Sequence, residues 1–204
     1  NLLDDTNDLG IFVEDIAELD GLDENQIAAC AAAAKDRDQE GKYFVAMVNF
    51  TGNPALANLT HRGLRERIMK ASLLKGGRDN ENDNRPVLLE IVKLRAQRAE
   101  LFGVKTHAEH VLQNRNAQNP ENVHKMLKQI APAAVRNARA EGADLQKAIE
   151  ASGENFTLES WDWDFYTEAV RLEKYNLDTS AMRPYFELER VLQDGVFFAA
   201  NKLF

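Results

Sequence analysis

The sequence predicts a mainly α-helical protein, on three observations. Helix-start signals recur along the chain: Asp23 with Gln26, Asn53-Pro54, Pro86, Thr106 with Glu109, Asn119-Pro120 and Ser160. Each precedes apolar residues spaced three or four apart. One run has clear strand character, the aromatic and β-branched stretch "KYFVAMVNF" from 42 to 50, bounded by Gly41 and "TGNP". No period of about 20 to 50 residues repeats, which excludes a solenoid of identical units. The expectation is roughly eight helices with one short strand region near 43–50.

The elements follow in order. "DLGIFVEDIAEL" reads as a first helix ending at Asp20-Gly21. Asp23 opens a second, with Gln26 completing a capping box and Leu22 and Ile27 spaced as a hydrophobic staple. That helix runs through the alanines to about Asp38 and stops near Gly41. The strand comes next, and no other segment is an obvious pairing partner, although a lone strand leaves half its backbone groups unpaired. Asn53 and Pro54 begin a helix with the stripe Leu56, Leu59, Leu64, Ile68 and Ala71, ended by Gly76-Gly77. "RDNENDN" is a polar loop and a candidate for disorder.

Pro86 opens a helix whose one face carries Leu88, Ile91, Val92, Arg95, Ala99 and Phe102, stopped by Gly103. Thr106 caps a short helix. Asn119-Pro120 starts a long one through Val123, Met126, Leu127 and Ile130 to about Ala151, with Pro132 and Gly142 as expected bends. Ser160 is expected to cap a helix holding Trp161 and Trp163, running to about Tyr175. A last helical region contains Pro184. Residues 1–204 are taken as one helical unit in three stretches. These are a helical pair plus strand over 1–50, a helical region over 53–151, and the tryptophan and terminal helices over 157–204.

The chain has 204 residues, 44% hydrophobic and 28% charged, which suffices for a buried core. Lys and Arg number 25 against 33 Asp and Glu, a net charge of −8. That balance argues against a nucleic-acid partner, since phosphate binding needs a basic excess. No apolar run approaches the ~20 residues of a membrane span, so no membrane partner is expected. The acidic start "NLLDDTNDLG" lacks the basic and apolar parts of a signal peptide, and a cytoplasmic location is expected, with the periplasm as the alternative. Cys30, the one cysteine, reads as a small buried helix residue. The chain opens without methionine and closes on the apolar "VFFAANKLF"; it is expected to be a piece of a longer protein that self-associates in isolation.

Candidate chemistry is sparse. His107 and His110 lie three apart in "THAEH" and could share a helix face, but two ligands are too few for a metal. His61 and His124 are isolated, and neither belongs to a His-Glu-x-x-His pair. "KGGRD" lacks phosphate-loop spacing and reads as a helix end. In "RGLRERIMK", Arg62, Arg65, Arg67 and Lys70 read first as a solvated face. The alternative is that one pairs with a carboxylate across a domain contact or lines a groove. Asp162 and Asp164 fall in a first helical turn, where the helix dipole favours negative charge. Trp161 and Trp163 point about 200° apart, so one can anchor a core while the other faces a groove or a second domain. No catalytic, cofactor-binding or metal residue is assigned.

The order Trp161, Asp162, Phe165, Tyr166, Leu177, Asp178, Pro184, Tyr185, Phe186, followed by "DGVFFAANKLF", resembles the thimet oligopeptidase and neurolysin family of zinc metallopeptidases. "LANLTHRGLRERI", "DNRPVLLEIVKLRAQRAELFGVKTHAEHVL" and "NPENVHKML" resemble upstream blocks of the same family. Asn116 departs from the methionine frequent there. Within the family the chain looks most like bacterial peptidyl-dipeptidases, also called dipeptidyl carboxypeptidases, with the oligopeptidase A branch as the alternative. The resemblance implies a multi-helical, neurolysin-like segment forming one wall of a channel that admits short peptides. It also implies zinc held by a His-Glu-x-x-His motif and a downstream glutamate, none of which maps onto this chain. The fragment itself is therefore expected to bind no zinc and to be inactive, its partners being short peptides and the remainder of the same polypeptide. A stand-alone helical interaction module and a small metal protein using His107 and His110 are the rivals.

Overall fold

A computed structural model describes residues 2–47, 53–175 and 180–204. The chain is mainly helical, and the described residues contain one two-stranded antiparallel sheet. It begins with α1 (Leu2–Asn7), β1 (Gly10–Val13) and a 3-10 turn, Ile16–Leu19. These are followed by α2 (Glu24–Lys35) and β2 (Tyr43–Ala46).

Residues 10–13 are thus a strand where the sequence predicts helix. β1 supplies the missing partner of β2, in the register Gly10↔Ala46, Ile11↔Val45, Phe12↔Phe44 and Val13↔Tyr43. Pairing satisfies backbone groups that either strand alone would leave open. It also places the Phe12 and Phe44 rings 4.7 Å apart. Gly10 leaves room for the second ring: a Cβ there would sit 2.1 Å from Phe44 Cζ and would displace it. The predicted strand's last residues, 48–50, lie outside the described residues.

Asp23 caps α2 as its sequence predicts: its carboxylate accepts from the Gln26 N–H, and the Gln26 side chain accepts from the Asp23 N–H. Leu22 and Ile27 both pack on the first core. That core gathers Leu9, Val13, Leu19, Val45, Met47, Leu56, Leu59, Leu64 and Ile68 from the sheet and the segments around it.

The predicted single helix from Asn53 onward is broken. A 3-10 turn, Pro54–Ala57, precedes α3 (Arg62–Leu73), which His61 caps by accepting from the Leu64 N–H at 3.0 Å. The break is imposed from Asp20-Gly21. Thr60 donates its N–H to the Asp20 carbonyl and its hydroxyl to the Asp20 carboxylate. Gly21, at φ +92°, packs so closely that a Cβ would stand 2.0 Å from the Asn58 oxygen. The stripe Leu56, Leu59, Leu64 and Ile68 is nevertheless buried.

The polar loop read as a candidate for disorder is tied down. Asp5 of α1, fully buried, accepts from the Gly76 N–H at 2.6 Å, Arg78 Nε at 2.9 Å and Asn80 at 3.0 Å. The Arg78 hydrogen bond is the main reason its carboxyl titrates at about 2.

Three helices follow: α4 (Arg85–Leu101), α5 (His107–Leu112) and the 32-residue α6 (Pro120–Ala151). Thr106 and Asn119 cap α5 and α6 as predicted; Glu109 reaches back to the Lys105 N–H rather than to the cap. The C-terminal third of α6 packs against α7 (Trp163–Tyr175), forming a second core of Leu145, Ile149 and Tyr166. Residues 180–204 comprise a 3-10 stretch Ser180–Phe186, α8 (Leu188–Arg190), a π-helical segment Val191–Phe197 and α9 (Phe198–Leu203). Leu88, Val92, Met126, Ile130, Phe197 and Leu203 all remain exposed.

Candidate functional site

A buried charge cluster joins the two cores. Arg62 and Arg65 lie one turn apart on α3, and Asp162 stands just before α7. Arg62 grips the Asp162 carboxylate at both oxygens, Nε to Oδ1 at 3.0 Å and Nη2 to Oδ2 at 2.9 Å. Arg65 Nη2 donates to Oδ1 at 2.9 Å, and the Glu159 N–H donates to Oδ2 at 3.1 Å. Arg65 spends its other amino group on the carbonyls of Leu59 and Thr60. Asp162 is 0% exposed and Arg65 1%.

Aromatic faces complete the joint. The Arg62 guanidinium sits 4.0 Å from the Phe156 ring centroid and 5.6 Å from that of Trp161; Arg65 lies 4.4 Å from Phe165. Lys70 Nζ is 5.5 Å from Trp161. Such contacts strengthen where water is excluded. The two tryptophans therefore divide the work. Trp161 serves the contact with α3, while Trp163 packs into the α6–α7 core against Gly142, where a Cβ would meet its ring at 3.4 Å. Gln146 of α6 fixes the intervening loop, donating to the Phe156 carbonyl and accepting from the Leu158 N–H.

The structure changes two readings of this region. Ser160 does not cap the helix: residues 160–162 form a turn and α7 starts at Trp163. The basic run of α3 is only half a solvated face: Arg67 and Lys70 are exposed, whereas Arg65 is buried and Arg62 partly so. Arg62 and Arg65 hold Asp162, and Arg67 donates to Glu18 and to the Phe12 carbonyl. Lys70 pairs with Glu66. The signal was Arg65 itself, which lies on the apolar side of the helix between Leu64 and Ile68.

Burial pushes the Asp162 carboxyl up, and the Arg62 and Arg65 hydrogen bonds more than offset it, leaving it below the usual carboxylate range. The same bond raises Arg62. An ionised carboxylate saturated by donors is an anchor; it has no proton to give near neutrality and no free lone pair facing a substrate.

His107 and His110 stand on α5. The His110 ring is stacked on Phe102 with centroids 4.3 Å apart, and His107 Nδ1 is buried without a hydrogen-bond partner among the described residues. Burial, and then Arg95 and Arg98, push the His107 imidazole down. Among the described residues no group of three His, Cys, Asp or Glu side chains comes together as a metal site. Two imidazoles, one of them stacked on a ring, do not fit a zinc site, which needs at least three protein ligands. His61 is spent on its cap, and His124 lies exposed on α6. Among the described residues no helix is long and apolar enough to cross a membrane.

The chain is similar to peptidases. The sequence pattern of peptidase family M3 matches residues 55–204. Dipeptidyl carboxypeptidase of Escherichia coli K12 is 38% identical over 195 residues, 96% of this chain and 29% of that protein. Dipeptidyl carboxypeptidase of Salmonella typhimurium is 35% identical over the same share. Oligopeptidase A of Salmonella typhimurium is 29% identical over 208 residues, 100% of this chain and 30% of that protein. The chain thus spans under a third of the length of these relatives. With the match covering most of its residues, the chain belongs to peptidase family M3.

Proposed function

We propose that this chain is a non-catalytic helical part of a zinc-dependent peptidyl-dipeptidase, an enzyme that removes dipeptides from the C-termini of short peptides. The observation that carries the branch is the identity of 38% and 35% to two dipeptidyl carboxypeptidases, against 29% to an oligopeptidase A. The assignment of the chain as scaffold rests on the sequence, which contains no His-Glu-x-x-His. In this reading zinc and the general base reside elsewhere in a longer cytoplasmic polypeptide. The Asp162 joint here fixes α3 against the α6–α7 pair as part of the channel wall. An oligopeptidase A-like endopeptidase is the second reading, favoured by a similarity that extends over all of this chain.

Two assays test the proposal. The isolated chain with added zinc should leave an N-blocked tetrapeptide intact; chelator-sensitive hydrolysis would overturn the scaffold assignment. The enzyme translated from the complete gene should release the C-terminal dipeptide from that substrate. Cleavage only at internal bonds of longer peptides would favour the endopeptidase reading instead.

A further inference from the structure

Charge is unevenly distributed along this chain. Residues 94–140 hold eight Lys and Arg against three Glu and no Asp, in a chain of net charge −8. Between Glu121 and Glu141 the long helix α6 carries no acid at all. Lys125, Lys128, Arg136 and Arg139 fall within an arc of about 80° at 100° per residue, so they form one face. None of the four makes an ion pair or a side-chain hydrogen bond among the described residues. Farther along the same helix Lys147 pairs with Asp144, which also takes Lys174 of α7. Among the described residues, then, Lys147, in the part of α6 that packs on α7, has a partner, and the four cations of the exposed part have none.

The face also has relief and an acceptor. Ala131, Pro132 and Val135 line a shallow depression with Lys128, Arg136 and Arg139. Pro132 has no N–H, so the Lys128 carbonyl lacks its α-helical donor in the middle of the basic face. An extended peptide laid there could donate a backbone N–H to that carbonyl while its side-chain carboxylates meet the cations. From position 125 to 139 the helix rises about 21 Å, the span of roughly six extended residues.

We propose that this face of α6 docks an acidic peptide of about six residues in extended form. The choice of a peptide, among anions, rests on the peptidase reading above; the basic face itself does not. Complementary charge of this kind sets specificity and salt dependence more than raw affinity.

The test uses the chain as it stands. A fluorescein-labelled Glu-Ala-Glu-Glu-Ala-Glu peptide and its Gln counterpart are titrated by polarisation at low salt. The acidic peptide should bind at least ~10-fold tighter, and raising salt from about 20 mM to about 500 mM should remove that advantage by screening. The double variant Lys128→Glu/Arg136→Glu, both exposed positions, should weaken binding at least ~10-fold, whereas Lys105→Glu should stay within about 2-fold. Circular dichroism verifies that the variants remain helical, and the comparison of the two peptides stands without any variant. Equal binding of the two peptides, no response to the double variant, or tighter binding of a thymidine hexanucleotide would each overturn the proposal. No hydrolysis is read, so this surface and the peptidase reading fail independently.

Discussion

Replacing Asp162 by Asn is the sharpest probe of how this structure holds together. The change keeps shape but removes the charge that Arg62 and Arg65 neutralise. Losing one partner of a buried ion pair costs about 3–5 kcal/mol, because the remaining charge is left buried and uncompensated. Two features place the cost near the lower end. The Arg62 side chain is 33% exposed and can rehydrate, and Arg65 keeps the Leu59 and Thr60 carbonyls. A loss of about 3 kcal/mol is expected, which at an m-value of about 2 kcal/mol per molar urea lowers the midpoint by roughly 1.5 M. Trp161 and Trp163 flank the position, so their fluorescence reports the transition directly. Asp164→Asn, at an exposed position in the first turn of α7, should change stability by less than about 0.5 kcal/mol. If Asp162→Asn costs no more than Asp164→Asn, the cluster is not what joins the two cores.

Acid should loosen the same fold. Asp5 and Asp162 both have depressed folded-state pKa values, so the unfolded chain binds their protons more readily. Their stabilisation is complete above the unfolded carboxylate value near 4 and is lost as pH falls through the folded values, about 2 for Asp5. Thermal melts between pH 5 and about 2 should show a falling midpoint, less steep in Asp5→Asn; an unchanged slope would contradict the linkage. Gly21→Ala should cost at least about 2 kcal/mol, combining a positive φ with a Cβ driven into the Asn58 carbonyl, and an unaltered urea midpoint would refute the contact. The exposed apolar residues of α4, α6 and α9 should drive self-association of the isolated chain; a clean monomer at high concentration by light scattering would count against it.

What was legible in the sequence was mostly local. The Asp23–Gln26 box, the Thr106 and Asn119 caps and the stop at Gly103 each depend on residues within a few positions of one another. Mainly α structure follows from those signals and from the apolar spacing between them. The misreadings share the opposite property. "GIFV" has enough helical context to pass as helix, and only β2, about thirty residues on, turns it into a strand. Nothing near Asn58 announces a break, because the cause is Asp20 and Gly21 across the core. Ser160 sits where a cap belongs, yet Asp162 is pulled into a turn by arginines about a hundred residues away.

The family, too, was legible in ordered blocks of residues, from Leu56 through the Trp-Asp pair to Phe204, since such blocks are written in sequence. Their physical use was not. By itself the sequence determined the helical character, the main caps and the membership, because those are set by short-range spacing. Only the tertiary structure decided that Arg62, Arg65 and Asp162 form one buried joint, that β1 pairs with β2, and that Trp161 and Trp163 serve different contacts. Burial and long-range pairing depend on which surfaces meet, and no local spacing encodes that meeting.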